Sequence, residues 1–152
     1  MAIDSTSKEY NFQRSIKKLF LAFSTTSSTA VFFEEQDNVP KDSSGDDYSK
    51  WLVVILGKRD RGTVNEQMVN LSLFTNNDTE ADELIKFSDD VVALFYDSET
   101  GVIPIDLYNT DPDTWVIVGG IIPYMQPMSE IYHSKDNTKY RICDILCKWG
   151  GK

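Results

Sequence analysis

The chain has 152 residues, 41% hydrophobic and 26% charged, with 24 acidic against 15 basic side chains and a formal charge of −9. That length supports one core, and the composition excludes the apolar-poor, highly charged class of disordered chains. The charge argues against condensation on nucleic acid or anionic lipid, and no apolar run approaches the ~20 residues that a membrane-spanning helix needs.

The polar start, MAIDSTSKEY, lacks a basic-then-apolar export pattern, so the expectation is a chain that stays in the cytoplasm, with residues 1–6 flexible and 1–152 forming a single domain. Thr6 and Glu9 have the spacing of a capping box, and Phe12, Ile16, Leu19, Phe20 and Phe23 recur at helical intervals. Together they predict an amphipathic helix over 7–23, wet on the side of Lys8, Arg14, Lys17 and Lys18 and stopped by the Ser/Thr cluster 24–29. The β-branched and aromatic run 30–34 reads as a strand. Residues 36–50, QDNVPKDSSGDDYSK, carry no apolar period and read as an exposed acidic loop.

The apolar runs 51–56 and 67–74 flank GKRDRGTVNE and are expected to pair as a hairpin with a basic tip. Val69, Leu71 and Leu73 alternate with Asn70 and Ser72, the pattern of a strand with one buried face. Asn76, Asn77 and Asp78 offer caps for a second helix over about 79–96, in which Ala81, Leu84, Ile85, Val91, Val92 and Phe95 keep one face. Residues 97–101 read as a turn and 102–108 as an edge strand interrupted by Pro104. NTDPD (109–113) reads as a second turn. Strands over 114–122 and 139–149 complete the chain, with a turn at 134–138 and a bulge or close backbone approach at Gly119-Gly120.

The expected fold is α+β: a mainly antiparallel or mixed sheet of five to six strands, with both amphipathic helices packed on one face.

Every candidate for chemistry is a group short. His133 is the one histidine, beside a turn, and Cys143 and Cys147 lie four apart in a strand, about 13 Å between Cα atoms at strand rise. They cannot form a disulfide and read as buried free thiols. A Cys/His nucleophile would need His133 to reach one of them across a hairpin. Two Cys and one His also match no zinc spacing. Asn109, Asp111 and Asp113 begin like a calcium loop, but Thr114 stands where glycine belongs and Gly120 where the bidentate glutamate belongs. No phosphate loop surrounds Gly57-Lys58, and the carboxylates form no acid and base couple. No catalytic, cofactor or metal residue is assigned. The features that suit protein contact are the cations Lys58, Arg59 and Arg61 at the expected hairpin tip and the loop carboxylates Asp42, Asp46 and Asp47.

The order helix, strand, loop, hairpin, helix, strand and a terminal pair of strands ending in YRICDILCKW, with the strand-to-helix junction VNLSLFTNNDTEADELIKFSDDV, resembles the tail terminator (tail completion) proteins of long-tailed bacteriophages over about residues 8–149. The resemblance implies a non-enzymatic virion component of the tail or neck, assembled in the host cytoplasm into a ring, typically a hexamer, on the head-proximal end of the tail tube. Its partners would be copies of itself, the tube protein (and the sheath if the tail is contractile) and the head-side connector. DNA would pass through the ring, and an acidic lumen lets it slide. The family carries no fixed site residues to transfer. Two other readings fit the size and charge: a head-completion adaptor or stopper, and, from another class, an acidic immunity or inhibitor protein that covers a basic enzyme surface.

Overall fold

In the computed structural model the described residues are 9–60, 64–109, 115–134 and 136–150. Two long antiparallel ladders form the centre of the sheet. β2 (Lys50–Asp60) pairs with β3 (Asn65–Asn76), which pairs along its whole length with β9 (Thr138–Trp149). β3 alternates buried and half-buried without a break from Asn65 to Asn76, as its sequence period requires. β1 (Ala30–Phe32) joins β2 in parallel, and β7 (Val116–Met125) and β6 (Ile105–Asn109) extend the sheet beyond β9. With β8 (Tyr132–His133) also on β9, the sheet has seven strands in the order β1-β2-β3-β9-β7-β6. A separate two-stranded sheet joins β4 (Tyr96–Asp97) to β5 (Gly101–Val102). The fold is α+β, with a curled, mixed sheet.

β9 lies between β3 and β7, which the linear order of the chain does not reveal. Cys143, Ile145, Cys147 and Trp149 point from it into the core, where both helices pack. α1 (Glu9–Ser27) buries Asn11, Phe12, Ser15, Ile16, Phe20 and Phe23. Phe12 stacks on Trp149 with ring centroids 4.2 Å apart and planes 10° from parallel, an arrangement that contributes about 0.5–1.5 kcal/mol beyond the area buried. α1 contacts both β1 and β6, the outermost strands of the curled sheet, and so lies across its opening. At the β6 edge the Tyr108 backbone N–H donates to Ser15 Oγ at 2.9 Å, while the Ser15 hydroxyl donates to the Asn11 carbonyl at 2.7 Å. One side chain thus satisfies an edge donor that would otherwise invite another strand.

The Ser/Thr cluster does not stop α1 at residue 23. Thr25 and Ser27 hydroxyls donate to the carbonyls four residues back, Leu21 and Phe23, so these side chains are accommodated inside the helix. The stop comes at Ser28, which adopts φ 54°, and the Thr29 N–H closes back on the Ser24 carbonyl at 3.2 Å, a Schellman-type ending. The capping box at Thr6 and the cation Lys8 lie outside the described residues.

α2 (Asp82–Val92) is shorter than expected and is preceded by a 3-10 turn, Thr79–Ala81. Of the three candidate caps, only Asp78 serves. Its buried carboxylate accepts from the backbone N–H of Glu83 (3.1 Å) and Leu84 (2.8 Å) and from the Thr75 hydroxyl (3.0 Å). Asn76 remains in β3 and Asn77 takes φ 55°. The expected edge strand is broken into β5 and β6 around Pro104, with β6 at the sheet margin. β6 and β7 slip by one residue between Leu107 opposite Gly119 and Tyr108 opposite Ile117, so the bulge is at Val118, beside the Gly119-Gly120 pair that the sequence singled out, and both glycines stay in register. The turn at 109–113 lies largely outside the described residues.

Beyond Ile122, where the sequence predicts the strand to end, the chain continues along β9. Gln126 N–H donates to the Asp144 carbonyl and Ser129 N–H to the Ile142 carbonyl, and β8 completes the run opposite Lys139 and Tyr140. Pro127 breaks the ladder between these contacts without diverting the chain.

Candidate interaction surfaces

The hairpin between β2 and β3 corrects the expected basic tip. β2 runs to Asp60, so Lys58 and Arg59 are strand residues, and Arg61 lies outside the described residues. The strand register separates the two cations. Leu56 faces Val69 but Arg59 faces Gln67, so β2 holds one extra residue in a bulge at Gly57-Lys58. A bulge shifts the inward and outward alternation by one. Lys58 therefore turns to solvent and Arg59 turns inward with Gln67. The Arg59 guanidinium lies 5.5 Å from the Trp149 ring, donates to Asn65 Oδ1 at 3.3 Å and pairs with Glu9 at 3.3 Å, its side chain only 9% exposed. Arg59 thus ties the start of α1 to β2, and of the described pair only Lys58 remains on the surface. Space is tight at Gly57 in the bulge: a Cβ there would stand 2.8 Å from Asn70 Oδ1 and 3.2 Å from the Met68 carbonyl oxygen.

The acidic loop has internal order. Lys41 and Asp47 form an isolated bridge and an ion pair at 2.8 Å, which raises the Lys41 ammonium above its ordinary pKa. Asp42 Oδ1 accepts from the backbone N–H of Ser44 (2.8 Å) and Asp46 (3.0 Å), an Asx arrangement that shapes the turn. Of the candidate carboxylates, Asp42 and Asp47 are engaged inside the loop and Asp46 is exposed.

The cysteines are free and buried, as expected. Desolvation pushes the Cys143 thiol up to about 11 and the Cys147 thiol up to about 12, so both are protonated at neutral pH and poor nucleophiles. His133 is exposed on β8 opposite Lys139, four positions along β9 from Cys143. The fold therefore does not bring His133 to either thiol. Among the described residues no group of three or more His, Cys, Asp or Glu is placed to hold a metal, and no helix is long and apolar enough to cross a membrane.

Two surface features could not be read from the sequence. The first is an apolar groove between the β4–β5 hairpin and the end of β7, lined by Phe95, Tyr96, Val102, Tyr124, Met125 and Met128. Tyr96, Val102 and Tyr124 are about half exposed there, and at the far end of β7 Val116 and Ile117 are more than half exposed. The second is a row of register partners on the sheet face opposite the helices: Trp51, Phe74, Tyr140 and Tyr132, one from each of β2, β3, β9 and β8. Their rings stand 5.2, 5.6 and 5.3 Å apart. Alternation within each strand was legible, but the alignment of four aromatics depends on which strands adjoin and in what register.

No family model and no curated protein matches the sequence.

Proposed function

We propose that this protein is a structural assembly subunit that forms a ring by head-to-tail contact, and that it acts as a tail terminator of a long-tailed bacteriophage, capping the tail tube and joining it to the head connector. The observation that carries the reading is the exposure of apolar side chains at both ends of β7. Val116 and Ile117 mark one end and Tyr124, with Tyr96 and Val102, the other. Val116 and Tyr124 are eight positions apart, about 26 Å along a strand. Two different apolar surfaces on one subunit suit a heterologous interface, in which the patch of one copy meets the groove of the next. Such contacts close into rings when the rotation permits. The net charge of −9 suits a passage for DNA, because like charge keeps the polymer from adhering. The resemblance in element order supplies the phage context.

Two measurements test the reading. Light scattering on the purified chain and on Ile117→Asp is expected to show a multimer of the 17.3 kDa subunit that the substitution dissociates. Some rings assemble only on a tail, so electron microscopy of particles made without the protein decides the role. Overlong or unattached tails support it, and normal-length tails already joined to heads would refute it.

A further inference from the structure

The sequence predicts α2 from about residue 79, yet the helix begins at Asp82. Between the two points the backbone is strained. Glu80 (φ 60°, ψ 7°) and Ala81 (φ 61°, ψ 23°) are consecutive non-glycine residues in the left-handed region, where a Cβ disfavours each by about five- to thirtyfold. Nothing in the local sequence asks for this conformation. TEADELIKF lacks glycine and proline, and a straight helix from Thr79 would keep Ala81, at helical spacing, on the buried stripe of Leu84, Ser88 and Val91. Thr79 and Glu80 are exposed, so the kink gains no burial from them.

Asp78 holds the kink. Its carboxylate takes the backbone N–H groups of Glu83 and Leu84 at 3.1 and 2.8 Å, and its carbonyl accepts from the Ala81 N–H at 3.4 Å and from the Lys139 ammonium. In a helix continued back to Thr79, the Glu83 and Leu84 N–H groups would instead meet the carbonyls four residues earlier, those of Thr79 and Glu80. The same two donors therefore have two alternative sets of acceptors. The Thr75 hydroxyl on β3 and Lys139 on β9 both grip Asp78, so the sheet decides which set is used.

We infer that the β3–α2 junction is a two-state catch: the Asp78 carboxylate holds α2 one turn short in a left-handed kink at Glu80-Ala81, and release of Asp78 lets the helix extend back to Thr79. Extension adds three residues, about 4.5 Å of helix, and re-aims the exposed Thr79 and Glu80 side chains. A neighbouring molecule that touches them shifts the catch only by its difference in affinity for the two forms. The device is independent of the tail-terminator role.

The test uses the full chain and its NMR spectrum. In Asp78→Ala the Cα shifts of residues 79–81 should move to helical values, and the Glu83 and Leu84 amides should stay protected from exchange by about a hundredfold or more, because backbone carbonyls replace the carboxylate. Asp78→Asn, a milder change, is read the same way and decides the matter if the alanine variant does not fold; its shifts at 79–81 should be displaced towards helical values. Glu80→Gly relieves the kink and disfavours the helix, so it should raise the folding constant about threefold or more, whereas Glu80→Ala, which keeps the Cβ, should leave it within about twofold. Added to Asp78→Ala, Glu80→Gly should reverse most of the helical shift. Non-helical shifts at 79–81 in the Asp78 variants, loss of protection at Leu84, or a lower urea midpoint for Glu80→Gly would each overturn the proposal.

Discussion

Removing the Asp78 carboxylate tests most directly what organises the start of α2. Asp78 is 7% exposed and accepts three hydrogen bonds: from two backbone N–H groups at the start of α2 and from the Thr75 hydroxyl, which is itself fully buried. Asp78→Ala removes a helix cap, worth about 1 kcal/mol, and leaves the Thr75 hydroxyl without its acceptor, a further ~1–3 kcal/mol. A loss of roughly 2–4 kcal/mol is therefore expected, measured by urea unfolding with an unchanged m-value. A second substitution checks how the loss divides. Thr75→Val removes the stranded hydroxyl, so the double variant Asp78→Ala/Thr75→Val should be more stable than the sum of the two single losses implies. A single-variant loss below about 0.5 kcal/mol, the scale of an ordinary surface change, would refute the assignment of Asp78 as the organiser of this junction.

Ser15→Ala should cost about 1–2 kcal/mol by stripping the acceptor from the Tyr108 N–H, and amide exchange at Tyr108 should accelerate more than at residues in β3. Gly57→Ala should destabilise by about 1–3 kcal/mol, because a Cβ 2.8 Å from Asn70 Oδ1 displaces the side chain that donates to Asp144 at 2.6 Å; thermal unfolding measures it, and no loss would show that the bulge relaxes freely. Thiol labelling of the native protein at pH 7.5 should be slow and limited by unfolding, since Cys143 and Cys147 titrate near 11 and 12 rather than 9. Above pH about 9 the unfolded thiols lose protons that the folded ones retain, so stability should fall as pH rises from 9 towards 11, and the thiols should have no such effect well below pH 9. Urea midpoints at about pH 8 and about pH 10 for the native chain and Cys147→Ala check the direction.

The local period of the chain determined most of its elements. The alternation in β3, the helical spacing from Phe12 to Phe23 and the proline that confines β6 to an edge are all intrinsic to short stretches of sequence, because side-chain direction repeats every two or 3.6 residues. Ring-stacking between Phe12 and Trp149, the closure of the sheet opening by α1 and the aromatic row were decided only by tertiary structure, since each depends on residues far apart in the chain. The basic tip shows the limit most clearly. Lys58, Arg59 and Arg61 read as one charged cluster in sequence, but a single extra residue at Gly57-Lys58 sends Lys58 outward and Arg59 onto Trp149. A bulge is specified by the register of the partner strand and by the space at one glycine, so composition could place the charges along the chain but could not assign them to a face.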